Sequence, residues 1–204
     1  MNERVDAAGK FHWDFFKRQC MHCADPACAK GCPEEAITKL ENGAVVIDED
    51  KCVGCGYCTH NCPFSVPKVD REKNKSTKCD LCFDRIAEGM EPACSKTCTA
   101  DAIRFGTKEE MLKRAEKRVA ILKEEGYKDA NVYNPQGVGG IHMLYVLPEK
   151  PAVYDLPENP QTPDSIDLWK DIVRPIGKIA GAGALVGVLG MAAIKGMASK
   201  KGEK

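Results

Sequence analysis

"CVGCGYCTHNCP", Cys52 to Pro63, sets four thiols within eleven residues and closes on a proline. Cys52, Cys55 and Cys58 follow one another at i, i+3 and i+6. At that spacing, a loop wrapped around a compact inorganic core presents three thiolates to three of its corners. Cys62, next to Pro63, points away from the loop and needs a second group to serve. "CMHCADPACAKGCP", Cys20 to Pro33, provides one. Two residues are inserted between its second and third cysteines, but the final C-x-x-x-C-P is intact.

This is the run of bacterial ferredoxins, whose fourth cysteine ligates the other cluster of a pair. The rule assigns one 4Fe-4S cluster to Cys20, Cys23, Cys28 and Cys62, and another to Cys52, Cys55, Cys58 and Cys32. Zinc is the rival for C-x-x-C pairs, yet zinc takes two pairs rather than triplets with a displaced fourth ligand. A third group, "CDLCFDRIAEGMEPACSKTCT" (Cys79 to Thr99), is looser. Eleven residues separate Cys82 from Cys94, and Thr99 stands where the other groups have proline. Cys79, Cys82, Cys94 and Cys98 either close on one iron cluster themselves, share one completed by another chain, or hold zinc or nothing. Their thiolate count suits a third 4Fe-4S cluster.

All 12 cysteines of the 204-residue chain lie between Cys20 and Cys98, so its two halves differ chemically. Thirty basic and thirty acidic residues cancel, removing the basic field expected of a general nucleic-acid binder. Dense cysteines can also mean a secreted disulfide framework. The opening "MNERVDAAGKFHWDFFKRQ" is charged and lacks the apolar core of a signal peptide. Work outside the cytoplasm would then require export in the folded state, attached to a partner that carries the signal.

"NGAVVIDEDKC" predicts a turn at Asn42-Gly43 and a strand over Ala44 to Ile47. "EEAIT" after Cys32-Pro33 and "ADAIRFG" after Cys98 look alike, suggesting an internal repeat. Thr107 to Gly126 predicts a helix with a Thr107/Glu110 capping box, an apolar face of Met111, Ala115, Val119 and Leu122, and a glycine stop. In "NPQGVGGIHMLYVLP" the glycines are expected to serve backbone geometry rather than phosphate binding, followed by a strand-like run from Ile141 to Leu147. His22 and His60, inside cysteine loops, are expected to be partly exposed. The fold class expected is α+β: a ferredoxin-like 4Fe-4S domain with a cross-ligated cluster pair, then one C-terminal transmembrane helix. Its divisions are 1–105 for the ferredoxin-type domain, 106–147 for a capping helix and strand, 148–168 for a proline-rich strap and 169–198 for a membrane anchor.

The anchor rests on Ile179 to Ile194, sixteen residues without a charge. As helix this is about 24 Å, slightly short of a hydrocarbon core of ~30 Å. Lys178 and Lys195 can snorkel to extend it, with Trp169 as interfacial anchor. Gly177, Gly181, Gly183 and Gly187 give two GxxxG spacings for a partner helix. Lys195, Lys200, Lys201 and Lys204 slightly outnumber Lys170, Arg174 and Lys178, which favours a cytoplasmic C-terminus and membrane lipid as a partner.

"KCDLCFDRIAEGMEPACSKTC", "AIRFGTKEEM" and "YNPQGVGGIHMLYVL", with the C-terminal apolar stretch, resemble the iron-sulfur (beta) subunits of membrane-bound formate dehydrogenases. These are a branch of the four-cluster ferredoxin subunits of molybdopterin oxidoreductases, and the likeness runs from about Lys17 to about Gly190. It implies a non-catalytic electron-transfer subunit. A molybdenum or tungsten pterin catalytic subunit would supply electrons and a membrane cytochrome b subunit with quinone would receive them, at an inner membrane with the soluble part periplasmic. The family begins with a further cysteine motif that is not in this sequence. In the family, Cys79, Cys82 and Cys94 would share a cluster with that motif's last cysteine, and Cys98 would complete that motif's own cluster. Related subunits of other molybdopterin enzymes or hydrogenases are the alternative customers, and a zinc-stabilised structural module the alternative class.

Overall fold

The computed structural model describes residues 2–5, 9, 11–168 and 176. The chain divides after Thr162 into two units, and the fold that positions the cysteines lies wholly in the first. It is mixed α/β, made of short elements. Its strands pair as antiparallel hairpins: β1 (Asn2–Val5) with β2 (Phe11–Asp14), β3 (Ile37–Lys39) with β4 (Val45–Ile47), β5 (Lys68–Asp70) with β6 (Lys75–Thr77), and β7 (Asn131–Tyr133) with β8 (Tyr145–Leu147). Between them lie the short helices α1 (Ala27–Lys30), α2 (Tyr57–Asn61), α3 (Phe83–Ala87) and α4 (Ala93–Lys96), and the long α5 (Lys108–Glu124). In the second unit, α6 spans Asp164–Leu168.

Local chemistry explains the hairpins. The expected turn at Asn42-Gly43 joins β3 to β4: Gly43 sits at φ +85°, and the Asn42 side chain accepts from the Ala44 amide at 3.0 Å. Asp70 plays the same part between β5 and β6, taking the amides of Glu72 (3.0 Å) and Lys73 (3.2 Å). The expected repeat holds in part. "EEAIT" enters β3, whereas "ADAIRFG" forms no strand. Without a following hairpin partner, its backbone turns instead.

Among the described residues, two cores share the unit. One consists of Cys28, Cys58, Ile37 and Val45, so thiols stand where aliphatic side chains ordinarily would. The other draws Met21 from the first cysteine loop together with Tyr133, Val138, Ile141, Leu147, Tyr154 and Leu156 from the cysteine-free half. Helix α5 lies against β7 and β8. Its capping box is formed, Ala115 and Leu122 of its predicted face are buried, and Gly126 follows at φ +101°. The strand expected over Ile141 to Leu147 is confined to Tyr145–Leu147, because the backbone before it is bonded to the first cysteine loop instead.

The proline-rich stretch contains a 3-10 turn (Pro151–Tyr154) and contributes Tyr154 and Leu156 to the core, so it is more than a linker. Tyr133 donates its hydroxyl to the Pro157 carbonyl at 2.6 Å, and a Cβ on Gly137 would collide with the Pro160 carbonyl. Among the described residues, no helix is long and apolar enough to cross a membrane. Apart from Ile176, the expected anchor (169–198) lies outside the described residues.

Candidate metal centre

The three cysteine groups share a backbone form. The second residue after each first cysteine is left-handed: His22 (φ 46°), Gly54 (φ 67°) and Leu81 (φ 63°). Each third cysteine rides on a one-turn helix, Cys28 in α1, Cys58 in α2 and Cys94 in α4. The third residue after each last cysteine is again left-handed: Glu35 (φ 53°), Ser65 (φ 53°) and Asp101 (φ 54°). Its amide donates back to that cysteine's carbonyl, at 3.3, 3.0 and 3.0 Å respectively. A non-glycine residue held in this region costs of order 1–3 kcal/mol. Five such residues recurring in register mark a shape imposed on the chain rather than a local preference.

Helices α1 and α2 pack side by side, and a Cβ on Gly31 would run into the Asn61 side chain. This contact carries the last cysteine of each group across to the other. One recess, of about 300 Å³ including its open mouth, is lined by Cys20, Cys23, Cys28 and Cys62, with Lys78 on its wall. A second, of about 310 Å³, is lined by Cys32, Cys52, Cys55 and Cys58, with Ser76. Each recess thus takes three thiols from one group and the fourth from the other. Among the described residues, no three His, Cys, Asp or Glu side chains converge as a site for a single metal ion. The thiols ring a volume, a donor set that fits a thiolate-held inorganic cube better than one tetrahedral ion.

The recesses differ electrostatically. Burial pushes the Cys23 thiol up to about 12, and the neighbouring Cys20, Cys28 and Cys62 push the same way. Cys28 is likewise raised to about 12 by burial, then by Cys20 and Cys62. Cys20 is raised by burial against the opposing charge of Lys78. In the second recess burial also acts to raise Cys52, but the Ser76 and Gly54 amides outweigh it and hold the thiol below its ordinary value. The Ser76 amide lies 3.3 Å from Cys52 Sγ, and Cys58 Sγ is 3.2 Å from Ser76 Oγ.

His22 corrects the expectation of an exposed loop residue: it is fully buried, while His60 is exposed. Its Nδ1 accepts the Val45 amide at 2.9 Å, stitching the first cysteine loop to β4. Burial first, then Lys78 and His142, lower it to about 3, so it is neutral. Sequence reasoning also missed the clamp on this loop. Ala24 and Asp25 donate their amides to Gly140 (2.9 Å) and Val138 (2.8 Å), and the His142 amide donates to the Met21 carbonyl at 3.0 Å. Gly139 and Gly140 bring the clamp there at φ +72° and +90°. The inserted residues of the first group were the available signal.

The third group is not gathered around either recess. Cys79 is raised by burial, the largest influence on it. Cys98 is exposed to charge-stabilising amides, Ile103 above all and then Ala102 and Ala100, which hold its thiol below the ordinary value.

Residues 11–108 match a family model described as a 4Fe-4S dicluster domain. This stretch of the chain is therefore similar to 4Fe-4S dicluster domains. The dicluster domain carries 4Fe-4S clusters. Relatives extend the match beyond it. The formate dehydrogenase iron-sulfur subunit of Haemophilus influenzae is 49% identical over 183 residues, 88% of this chain and 59% of the relative. The nitrate-inducible formate dehydrogenase iron-sulfur subunit of Escherichia coli is 48% identical over 187 residues, 90% of this chain and 63% of the relative. One subunit of the anaerobic dimethyl sulfoxide reductase of Escherichia coli is 48% identical over 95 residues, 47% of this chain and 46% of the relative. The protein therefore spans about three fifths of the length of the formate dehydrogenase subunits it matches.

Proposed function

We propose that this chain is an electron relay of a formate dehydrogenase complex, with Cys20, Cys23, Cys28 and Cys62 holding one 4Fe-4S cluster and Cys32, Cys52, Cys55 and Cys58 another. The observation that carries this reading is the exchange of fourth thiols between two adjacent recesses. A 4Fe-4S cluster held wholly by thiolates gains and loses single electrons and leaves no open coordination site for substrate. The protein's own part is to fix the thiols and keep the two sites close. Cys28 and Cys58 pack in one core, so a single wall of side chains separates the recesses.

The formate dehydrogenase assignment is supported by where the likeness extends. The dimethyl sulfoxide reductase subunit matches about half of this chain, whereas the formate dehydrogenase subunits match nearly all of it, including the clamp and strap. In this reading a molybdenum or tungsten pterin subunit oxidises formate and passes electrons in. A membrane cytochrome b subunit takes them out to quinone, and residues 169–198 anchor the protein in the inner-membrane lipid with the soluble part periplasmic. Cys79, Cys82, Cys94 and Cys98 supply ligands to a third 4Fe-4S cluster, a role supported by the backbone form they share with the other groups.

Iron and acid-labile sulfide per polypeptide, measured on anaerobically purified protein, test the reading. About eight irons correspond to two cubes and about twelve to three. A colourless protein that binds zinc and gives no paramagnetic signal after dithionite overturns it.

A further inference from the structure

The segment Lys75-Ser76-Thr77-Lys78 runs past both recesses. Ser76 is 3% exposed. It lines the recess of Cys32, Cys52, Cys55 and Cys58, with its amide at 3.3 Å from Cys52 Sγ and its hydroxyl at 3.2 Å from Cys58 Sγ. A thiol can donate to a hydroxyl, but a thiolate can only accept. When Cys58 is a ligand, the Ser76 O–H must therefore be the donor. Two residues on, Lys78 lines the other recess with Cys20, Cys23, Cys28 and Cys62. Its ammonium donates to the Val45 carbonyl and, at 3.1 Å, to the Cys79 carbonyl. An ammonium has three donors, so one remains for whatever fills the recess.

We infer that this segment sets the potentials of the two clusters separately, Ser76 through hydrogen bonds to ligand sulfur on one side and Lys78 through its positive charge on the other. The inference rests on the two-cluster reading above. Reduction adds negative charge to a cluster. A donor to its sulfur ligands, or a cation beside it in a partly dry recess, stabilises the reduced form more than the oxidised and raises the potential. Thr77, exposed between the two, contributes to neither.

The test is redox potentiometry followed by electron paramagnetic resonance on the full-length protein. Wild type, Ser76→Ala, Ser76→Thr, Lys78→Met, Lys78→Arg and Thr77→Ala are compared, with iron and sulfide measured on each. Wild type without two clusters refutes the ligand reading and is distinguishable from every outcome below. With the clusters of both recesses present, Ser76→Ala and Lys78→Met should each lower the wave of one of these two, and a different one. The expected change in the reduction equilibrium is about tenfold, or 59 mV for one electron. Ser76→Thr, Lys78→Arg and Thr77→Ala should leave both waves near wild type. Loaded variants with unmoved waves, or both substitutions moving the same wave, overturn the inference. So does loss of a cluster in Lys78→Met or Ser76→Ala while its conservative counterpart stays loaded, since the residue would then serve assembly rather than potential.

Discussion

The two recesses have the same number of thiols and nearly the same volume, yet the fold treats them differently. The loop of the first is clamped by the cysteine-free half: Met21 enters that half's core, and residues 138–142 bond to the loop that carries Cys20 and Cys23. Among the described residues the second loop has no such clamp, and Val53 and Tyr57 are half exposed on it. The two extra residues between Cys23 and Cys28 account for the difference, because Ala24 and Asp25, which lie between those cysteines, donate to the clamp. Lys39 also donates to the Ala24 carbonyl at 2.8 Å, so the insertion is held from two sides. A small change in spacing therefore converts an open cysteine loop into an anchored one.

Replacing the exchanged thiols is the most severe way to break this comparison. Cys62→Ser should empty the first recess although Cys62 belongs to the second group, and Cys32→Ser the reverse. Each should lower the iron content by about half or more of the two-cluster value, read by iron analysis and absorbance near 400 nm. If Cys62→Ser affected only the recess lined by its own group, cross-ligation would be wrong. Glycine substitutions act next. Gly54→Ala places a side chain at φ +67° against the Asn74 backbone, and Gly137→Ala places one against the strap at Pro160. Each should destabilise by about 1–3 kcal/mol in urea unfolding. Gly54→Ala should hasten iron loss from the second recess and Gly137→Ala from the first.

Thiol chemistry of the metal-free protein sharpens the contrast. Cys23 and Cys28 retain protons in the fold up to about 12, above the ordinary thiol value. The native state thus binds more protons than the unfolded one from about pH 9 to pH 12, and its stability should fall as pH rises through that window. Cys52 is shifted the opposite way, so its contribution grows as pH rises. At pH 8, iodoacetamide should label Cys52 at least about tenfold faster than Cys23 or Cys28, as peptide mass spectrometry would report. The smallest effect belongs to Thr107→Ala. Loss of the capping box at α5 should cost about 1 kcal/mol in urea unfolding and leave the iron content unchanged.

What could be read in advance was what the sequence writes locally. The capping box at Thr107, the Asn42-Gly43 turn and the glycine stop at Gly126 depend on neighbours within a few residues. Which cysteines gather around each recess was legible too, because their spacing places them. The burial of His22 was not, since its partner is an amide 23 residues away. Nor was the role of Tyr154 and Leu156, whose apolar contacts lie across the unit and whose proline-rich setting reads as linker. "ADAIRFG" misled because its likeness to "EEAIT" ends where the hairpin partner would begin.

The sutures between the strap and the body carry a consequence for how this unit can be inherited or cut. Tyr133 holds Pro157, Gly137 makes way for Pro160, and Thr162 donates to Asp25 at 3.4 Å. A gene fragment ending after the last cysteine would keep all three cysteine groups and lose the backbone clamp on the first of them. Recombination that transplants the cysteines must bring some sixty distal residues with them, which makes the indivisible heirloom longer than the motif that identifies it.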